Sequence, residues 1–187
     1  MKTLRIWNCL ALHDESLFEI AKLKNLTKLC AGDNRHFTSK GFAEILKSTP
    51  QLEILDFSCC PNVKSDLIAE LILNGHNLKC LKAEFCPDFA TDSLLTSLGS
   101  ASDMKLEALI LGDGTVTNAG ISELIKSEDL KKTLRCIDLR RNNDVGLEGY
   151  DILASNFQLE ELDGCSPKEY GDSAGQFFMT KRLSMDN

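Results

Sequence analysis

Eight cysteines and three histidines have the widest chemical repertoire in this chain, and their spacing decides which chemistry is open to it. His76, Cys80 and Cys86 fall within eleven residues, with Cys59 and Cys60 a short distance upstream. A zinc site wants four convergent ligands at tight spacing, yet no C-x-x-C pair occurs. A thiol or hydroxyl nucleophile needs a base within hydrogen-bond reach, and His13, His36 and His76 all lie in segments that connect periodic stretches. There is no G-x-S-x-G, no Walker-type loop and no paired-carboxylate motif, and Gly112-Asp113-Gly114 reads as a tight loop. No catalytic, cofactor-binding or metal-ligating residue is therefore expected, and the chain is not read as an enzyme.

The cysteines mark a period instead. Cys60 and Cys86 close Leu52-x-x-Leu55-x-Phe57-x-x-Cys60 and Leu78-x-x-Leu81-x-Ala83-x-x-Cys86, and the same pattern runs from Leu26 to Asn34, from Leu106 to Gly114 and from Leu134 to Asn142. A weaker copy, Met1-x-x-Leu4-x-Ile6-x-x-Cys9, opens the chain, and Leu159-x-x-Leu162-x-Gly164 begins another. Successive copies start 25, 26, 26, 28, 28 and 25 residues apart, a solenoid period.

The pattern has a mechanical meaning. In a short strand, residues two apart share a face, so Leu55 and Phe57 point into a core while the residues between them point away. At the ninth place the chain leaves the strand and its backbone groups lose ladder partners. A buried Asn34 or Asn142 is expected to answer that loss well, and a buried thiol at Cys9, Cys60 or Cys86 weakly. Between the strands, apolar residues recur at helical spacing: Leu17, Ile20 and Ala21; Phe42, Ile45 and Leu46; Leu67, Ile68 and Leu71; Leu94, Leu95 and Leu98; Ile121, Leu124 and Ile125. Asp14, Thr38, Ser65, Thr91, Thr117 and Asp144 stand where N-caps belong. Each unit thus reads as strand, loop and returning helix, which makes the strands parallel neighbours.

In these residues the chain resembles a leucine-rich repeat protein over residues 1–165. The 26-residue units with cysteine at the ninth place are similar to the cysteine-containing class of F-box proteins. The 28-residue units with Thr117-Asn118-Ala119-Gly120 and Leu147-Glu148-Gly149 resemble the ribonuclease-inhibitor class. The resemblance implies an α/β horseshoe of six to seven repeats, with a parallel concave β-sheet and convex helices. Residues 166–187 are expected to form a C-terminal cap or tail, in which Phe177, Phe178 and Met179 fold back over the last copy or dock on a partner. Met1, Leu4 and Ile6 already belong to a strand, so the N-terminal edge is expected to be covered by another chain or by residues missing from this sequence.

Charge and composition narrow the partners. The net charge is −7, from 21 basic and 28 acidic residues, which disfavours general nucleic-acid binding. No apolar run approaches the roughly 18 residues of a membrane span. Lys131, Lys132, Arg135, Arg140 and Arg141 form the one basic run, read as solvated surface or as a docking site for an acidic partner. Repeated cysteines at equivalent positions, with no flanking disulfide cap, favour eight free thiols and a reducing intracellular compartment, the cytoplasm.

What remains is the surface made by the strands. By register, Ile54, Cys80, Ala108 and Cys136 share one outward column, and Trp7, Ile110 and Arg140 lie on the same concave face. Phe85 lies just past the fourth strand, beside Cys59 and Asp113, and is the leading hot-spot candidate because exposed aromatics dominate interface energetics. The expected function is a non-catalytic protein-protein interaction module, a scaffold or subunit of a larger assembly, with Trp7, Ile54, Cys80, Phe85, Ile110, Cys136 and Arg140 meeting the partner protein. The cysteine-containing repeats also imply a substrate-recognition component of a ubiquitin ligase, although the F-box of such proteins is not in this sequence. An enzyme inhibitor is the third reading, and it wants a longer and more acidic concave face.

Overall fold

The computed structural model describes residues 1–162. The pattern's fourth position is stacked through the whole sheet: Leu4, Leu29, Leu55, Leu81, Leu109, Ile137 and Leu162 are partners in successive parallel pairs. The strands are short because only two residues per copy point inward. They are β1 (Thr3–Arg5), β2 (Lys28–Cys30), β3 (Ile54–Asp56), β4 (Cys80–Lys82), β5 (Ala108–Ile110), β6 (Cys136–Asp138) and β7 (Glu161–Leu162). They form one seven-stranded sheet in chain order. The apolar stripes become α1 (Asp14–Ile20), α2 (Ser39–Ser48), α3 (Leu67–Asn74), α4 (Asp92–Ser100), α5 (Asn118–Leu124) and α7 (Leu147–Asn156). An extra helix, α6 (Glu128–Thr133), fills the longer fifth unit; Ser127 caps it and Leu130 anchors it in the core. No helix among the described residues is long and apolar enough to cross a membrane.

One core lies between sheet and helices. It joins Leu29, Leu55, Leu81, Leu109 and Ile137 from the strands to Leu17, Phe42, Leu71, Leu94 and Leu124 from the helices. Phe37, Phe42, Phe57 and Phe89 run through it as a chain of ring contacts with centroids 5.0 to 5.9 Å apart. Leu4 and Ile6 of the first copy are only partly buried.

The ninth position behaves as its chemistry dictates. Asn34 donates to the carbonyls of Ile6, Ala31 and Gly32 and accepts from the Cys9 N–H. Asn142 donates to Leu111 and Leu139 and accepts from the Val116 N–H. The Cys60 and Cys86 thiols reach backbone carbonyls only at 3.4 Å or more. Gly114 leaves room for Asn142, whose Oδ1 would lie 2.8 Å from a Cβ there.

Three of the six expected caps are N-caps: Thr38, Thr91 and Thr117. At the other helices the cap residue is His13, Asp66 or Gly146 instead. Asp14 is displaced from that role by a longer-range one. Its carboxylate accepts from the Thr38 N–H at 2.9 Å and from the Thr38 hydroxyl at 2.5 Å, in the next unit. Asp92 repeats this with Thr117 at 2.8 and 2.7 Å. Each aspartate thereby ties the start of its own helix to the start of the following one. The tail expected at 166–187, with Phe177, Phe178 and Met179, lies outside the described residues, as does the boundary after residue 165.

Candidate functional site

Opposite the helices, the sheet presents two columns. The first is the expected one, with Ile54, Cys80, Ala108 and Cys136 paired in register. Its environment differs from the expectation of a wet surface: Cys80 and Ala108 are fully buried, and Cys136 and Ile110 nearly so. With Ile54 they make a second apolar cluster, separate from the main core and containing no helix residue. The correction has a physical cause. Register fixes which way a side chain points, whereas exposure depends on what stands above it.

The second column runs through Asp56, Lys82, Ile110 and Asp138. Its charged members are buried too, Asp56 to 2 %, Lys82 to 9 % and Asp138 to 1 % exposure. Arg140 Nη2 sits 2.5 Å from Asp138 Oδ2 and 3.5 Å from Glu84 Oε1. Burial, followed by the Asp138 charge, pushes the Glu84 carboxyl above its ordinary value, and Arg140 opposes this.

Beyond the strands, the eighth positions form a ridge. Asn8, Asp33, Cys59, Phe85, Asp113 and Arg141 all have φ between 51° and 59°. The first five of these join a ladder that continues past the sheet, since Asn8 N–H donates to Gly32 O, Asp33 N–H to Ser58 O, Cys59 N–H to Glu84 O, Phe85 N–H to Gly112 O and Asp113 N–H to Arg140 O. Asparagine and aspartate tolerate left-handed backbone, but cysteine, phenylalanine and arginine do so at a cost of about 1–3 kcal/mol. Phe85 is 46 % exposed. Arg141 lies over its ring, with Cζ 5.6 Å from the centroid, and pairs with Asp113 at 3.1 Å. Phe85, Cys59 and Asp113 thus stand together as expected, and Arg141 joins them. The sequence signal for Arg141 is its eighth place in the Leu134 copy.

Trp7 stands apart at the β1 end, 41 % exposed, with its ring so close over Gly32 that a Cβ there would lie 2.1 Å from it. The basic run does not form a free cationic patch. Lys131 pairs with Glu128, Lys132 with Asp129, Arg140 with Asp138 and Arg141 with Asp113, while Arg135 bonds the carbonyls of Lys132 and Leu134.

The thiols depart from expectation at one place. Cys9, Cys30, Cys59, Cys60, Cys80 and Cys86 are free, but Cys136 is disulfide-bonded, so the reading of eight free thiols is corrected there. Burial pushes the thiols of Cys60, Cys80 and Cys86 up to about 12 and that of Cys59 to about 11. Such groups stay protonated near neutrality and make poor nucleophiles. His13 and His36 stack at 4.4 Å in neighbouring loops. His76 lines an open groove between α3 and α4, with Ile68, Ile72, Leu73 and serines of α4. Among the described residues no group of three or more His, Cys, Asp and Glu side chains is placed to hold a metal ion. In sequence, the chain matches no protein-family profile and no curated protein.

Proposed function

We propose that this chain is a leucine-rich repeat horseshoe acting as a non-catalytic protein-interaction module, a scaffold or subunit of a larger assembly. The observation that carries this reading is the ridge centred on Phe85. An exposed aromatic ring, a guanidinium stacked on it and a carboxylate holding that guanidinium are fixed on strained backbone, at the rim of a hydrogen-bonded ladder. Strain of this kind persists only where the surroundings impose it, and aromatic and arginine side chains are the usual anchors of protein interfaces. Preorganisation also lowers the ordering cost that a partner's binding must offset. A second reading, substrate recognition in a ubiquitin ligase, draws support from Cys60 and Cys86, the buried ninth-position cysteines of the 26-residue units.

The test is affinity capture from the native cell with mass spectrometry, comparing Phe85→Asp and Arg141→Glu with the helix-side change Lys126→Glu. The ridge variants should lose a stoichiometric partner while their melting temperature shifts little. Loss with Lys126→Glu alone would move the binding face to the helices. A captured cullin and adaptor would favour the ligase reading over the scaffold.

A further inference from the structure

Successive units are tied together at the start of their helices, and the same tie recurs along the chain. A side chain that opens one helix accepts from an N–H ahead of the next: Asp14 from Thr38, Ser39 from Lys64, Asp92 from Thr117 and Asn118 from Gly146, at 2.8 to 3.1 Å. Ser65 holds the corresponding place in the third unit, and its tie to Thr91 is not made. The Thr91 N–H turns instead to Phe89 O at 2.9 Å. The Thr91 hydroxyl is the one buried side-chain nitrogen or oxygen among the described residues that has no hydrogen-bond partner. A buried polar group without a partner is expensive, and this one marks the place where two units fail to join. The neighbouring residues supply the cause. At their third residue α2, α5 and α7 carry Gly41, Gly120 and Gly149, each facing Asp14, Asp92 or Asn118 of the preceding unit so closely that a Cβ would collide with it. At its third residue α4 has the buried Leu94 instead, which fills the space an accepting side chain would need.

The helix layer parts at this junction. Gly99 draws α4 to its other neighbour, lying so close to the Glu123 carbonyl of α5 that a Cβ there has no room. Between α3 and α4 an open groove of about 860 Å³ remains, with Ile68, Ile72 and Leu73 on one side and Ser93 and Ser97 on the other. The sheet does not share the break. β3 and β4 stay paired in register, and Phe57 and Phe89 keep their ring contact across the junction at 5.0 Å. We propose that the solenoid is hinged between its third and fourth units. The sheet and the Phe57–Phe89 pair are the pivot, α1–α3 and α4–α7 move as two blocks, and the groove between α3 and α4 widens and narrows as they do. In a solenoid each unit contacts only its neighbours, and stability is a sum of unit and interface contributions. The chain therefore divides where that interface is weakest. Opening at α3 and α4 breaks no loop tie between helix starts, so it costs less than opening at a tied junction. The hinge stands without any assumption about function.

Amide hydrogen exchange of the full chain in sub-denaturing urea reads the division directly. Amides of β1–β3 and α1–α3 should share one level of protection and those of β4–β6 and α4–α7 another, about tenfold or more apart, with the step between α3 and β4. A single level throughout, or a step at another junction, overturns the hinge. Ser97→Leu places an apolar side chain in the groove against Ile68 and Ile72 without touching the sheet, and should shrink the step to about threefold or less by strengthening that one interface. A step of unchanged size in this variant overturns the hinge, whether or not overall protection rises. The missing tie has its own test, in the urea midpoints of Thr91→Val and Thr117→Val. Removing the unpartnered Thr91 hydroxyl should leave the midpoint unchanged or raise it, whereas removing the Thr117 hydroxyl, which donates to Asp92, should lower it. A loss at Thr91→Val as large as that at Thr117→Val would show the third junction to be tied like the others, and the proposal would fall.

Discussion

Asn142 and Cys86 hold the same place in their units and compensate for the same loss of backbone partners with different strength. The amide makes three bonds between 2.9 and 3.0 Å, while the thiol reaches two carbonyls at 3.4 and 3.6 Å. Asn142→Ala should therefore cost about 3 kcal/mol or more, since it strands buried backbone groups at about 1–3 kcal/mol each. Cys86→Ala should cost less, and urea denaturation of the two variants compares them directly; equal losses would contradict the hydrogen-bond account. The buried thiols also set an alkaline limit. Folded values near 12 for Cys60, Cys80 and Cys86 lie above the ordinary 9.0, so the native state keeps protons that the unfolded chain releases. Their contribution is fully present below pH 9 and is lost as the pH rises from 9 towards 12, with a slope of up to about 1.4 kcal/mol per pH unit for each thiol. Denaturation midpoints measured from pH 7 to 11 should fall accordingly, and the Cys60→Ala/Cys86→Ala double variant should fall less steeply.

At the scale of elements, the units are joined by more than stacked leucines. Asp14 and Asp92 each reach forward to a threonine at the start of the next helix. Gly120 faces Asp92 so closely that a Cβ would stand 2.2 Å from its Oδ1. Asp92→Ala removes the acceptor for both the Thr117 N–H and its hydroxyl, and should destabilise the chain by about 1–3 kcal/mol. Amide exchange should then rise at Thr117 before it rises in the strands, and Asp92→Asn, which keeps one acceptor oxygen, should give about half the effect. A uniform rise along the chain would mean that the tie is not local. Asp14 was legible in the sequence only as a cap and Asp92 was not singled out at all, because their partners lie 24 and 25 residues away and meet them only once the units stack. The helix α6 was hidden for another reason. Its six residues carry one buried leucine, too little to show a helical period.

The described residues form a single parallel sheet with a helix-bearing face and an opposite face whose side chains are buried from β4 to β6, and one adjacent pair of residues tests both sides. Leu81 is fully buried in the main core, so Leu81→Asp should abolish cooperative unfolding, because an unpaired buried charge costs well beyond the roughly 2–5 kcal/mol of a Leu→Ala cavity. Lys82 points the other way, and alternation alone predicts that Lys82→Asp is nearly silent. Its 9 % exposure and its place beside Asp56 in the ladder predict otherwise. Charge reversal there should lower the unfolding midpoint clearly, though less than Leu81→Asp, and a silent Lys82→Asp would show the face to be open. The sequence by itself determined the period, the inward residues and the register of all seven strands. Strand side chains alternate strictly, and units of nearly equal length bring equivalent residues side by side. Only the tertiary structure decided that the helix-free face is buried from β4 to β6, that Arg140 holds Asp138 and that Arg141 caps Phe85 on a left-handed ridge. Those outcomes depend on what packs above the sheet and on which neighbouring unit a long side chain can reach, and neither is encoded in the spacing of residues along one strand.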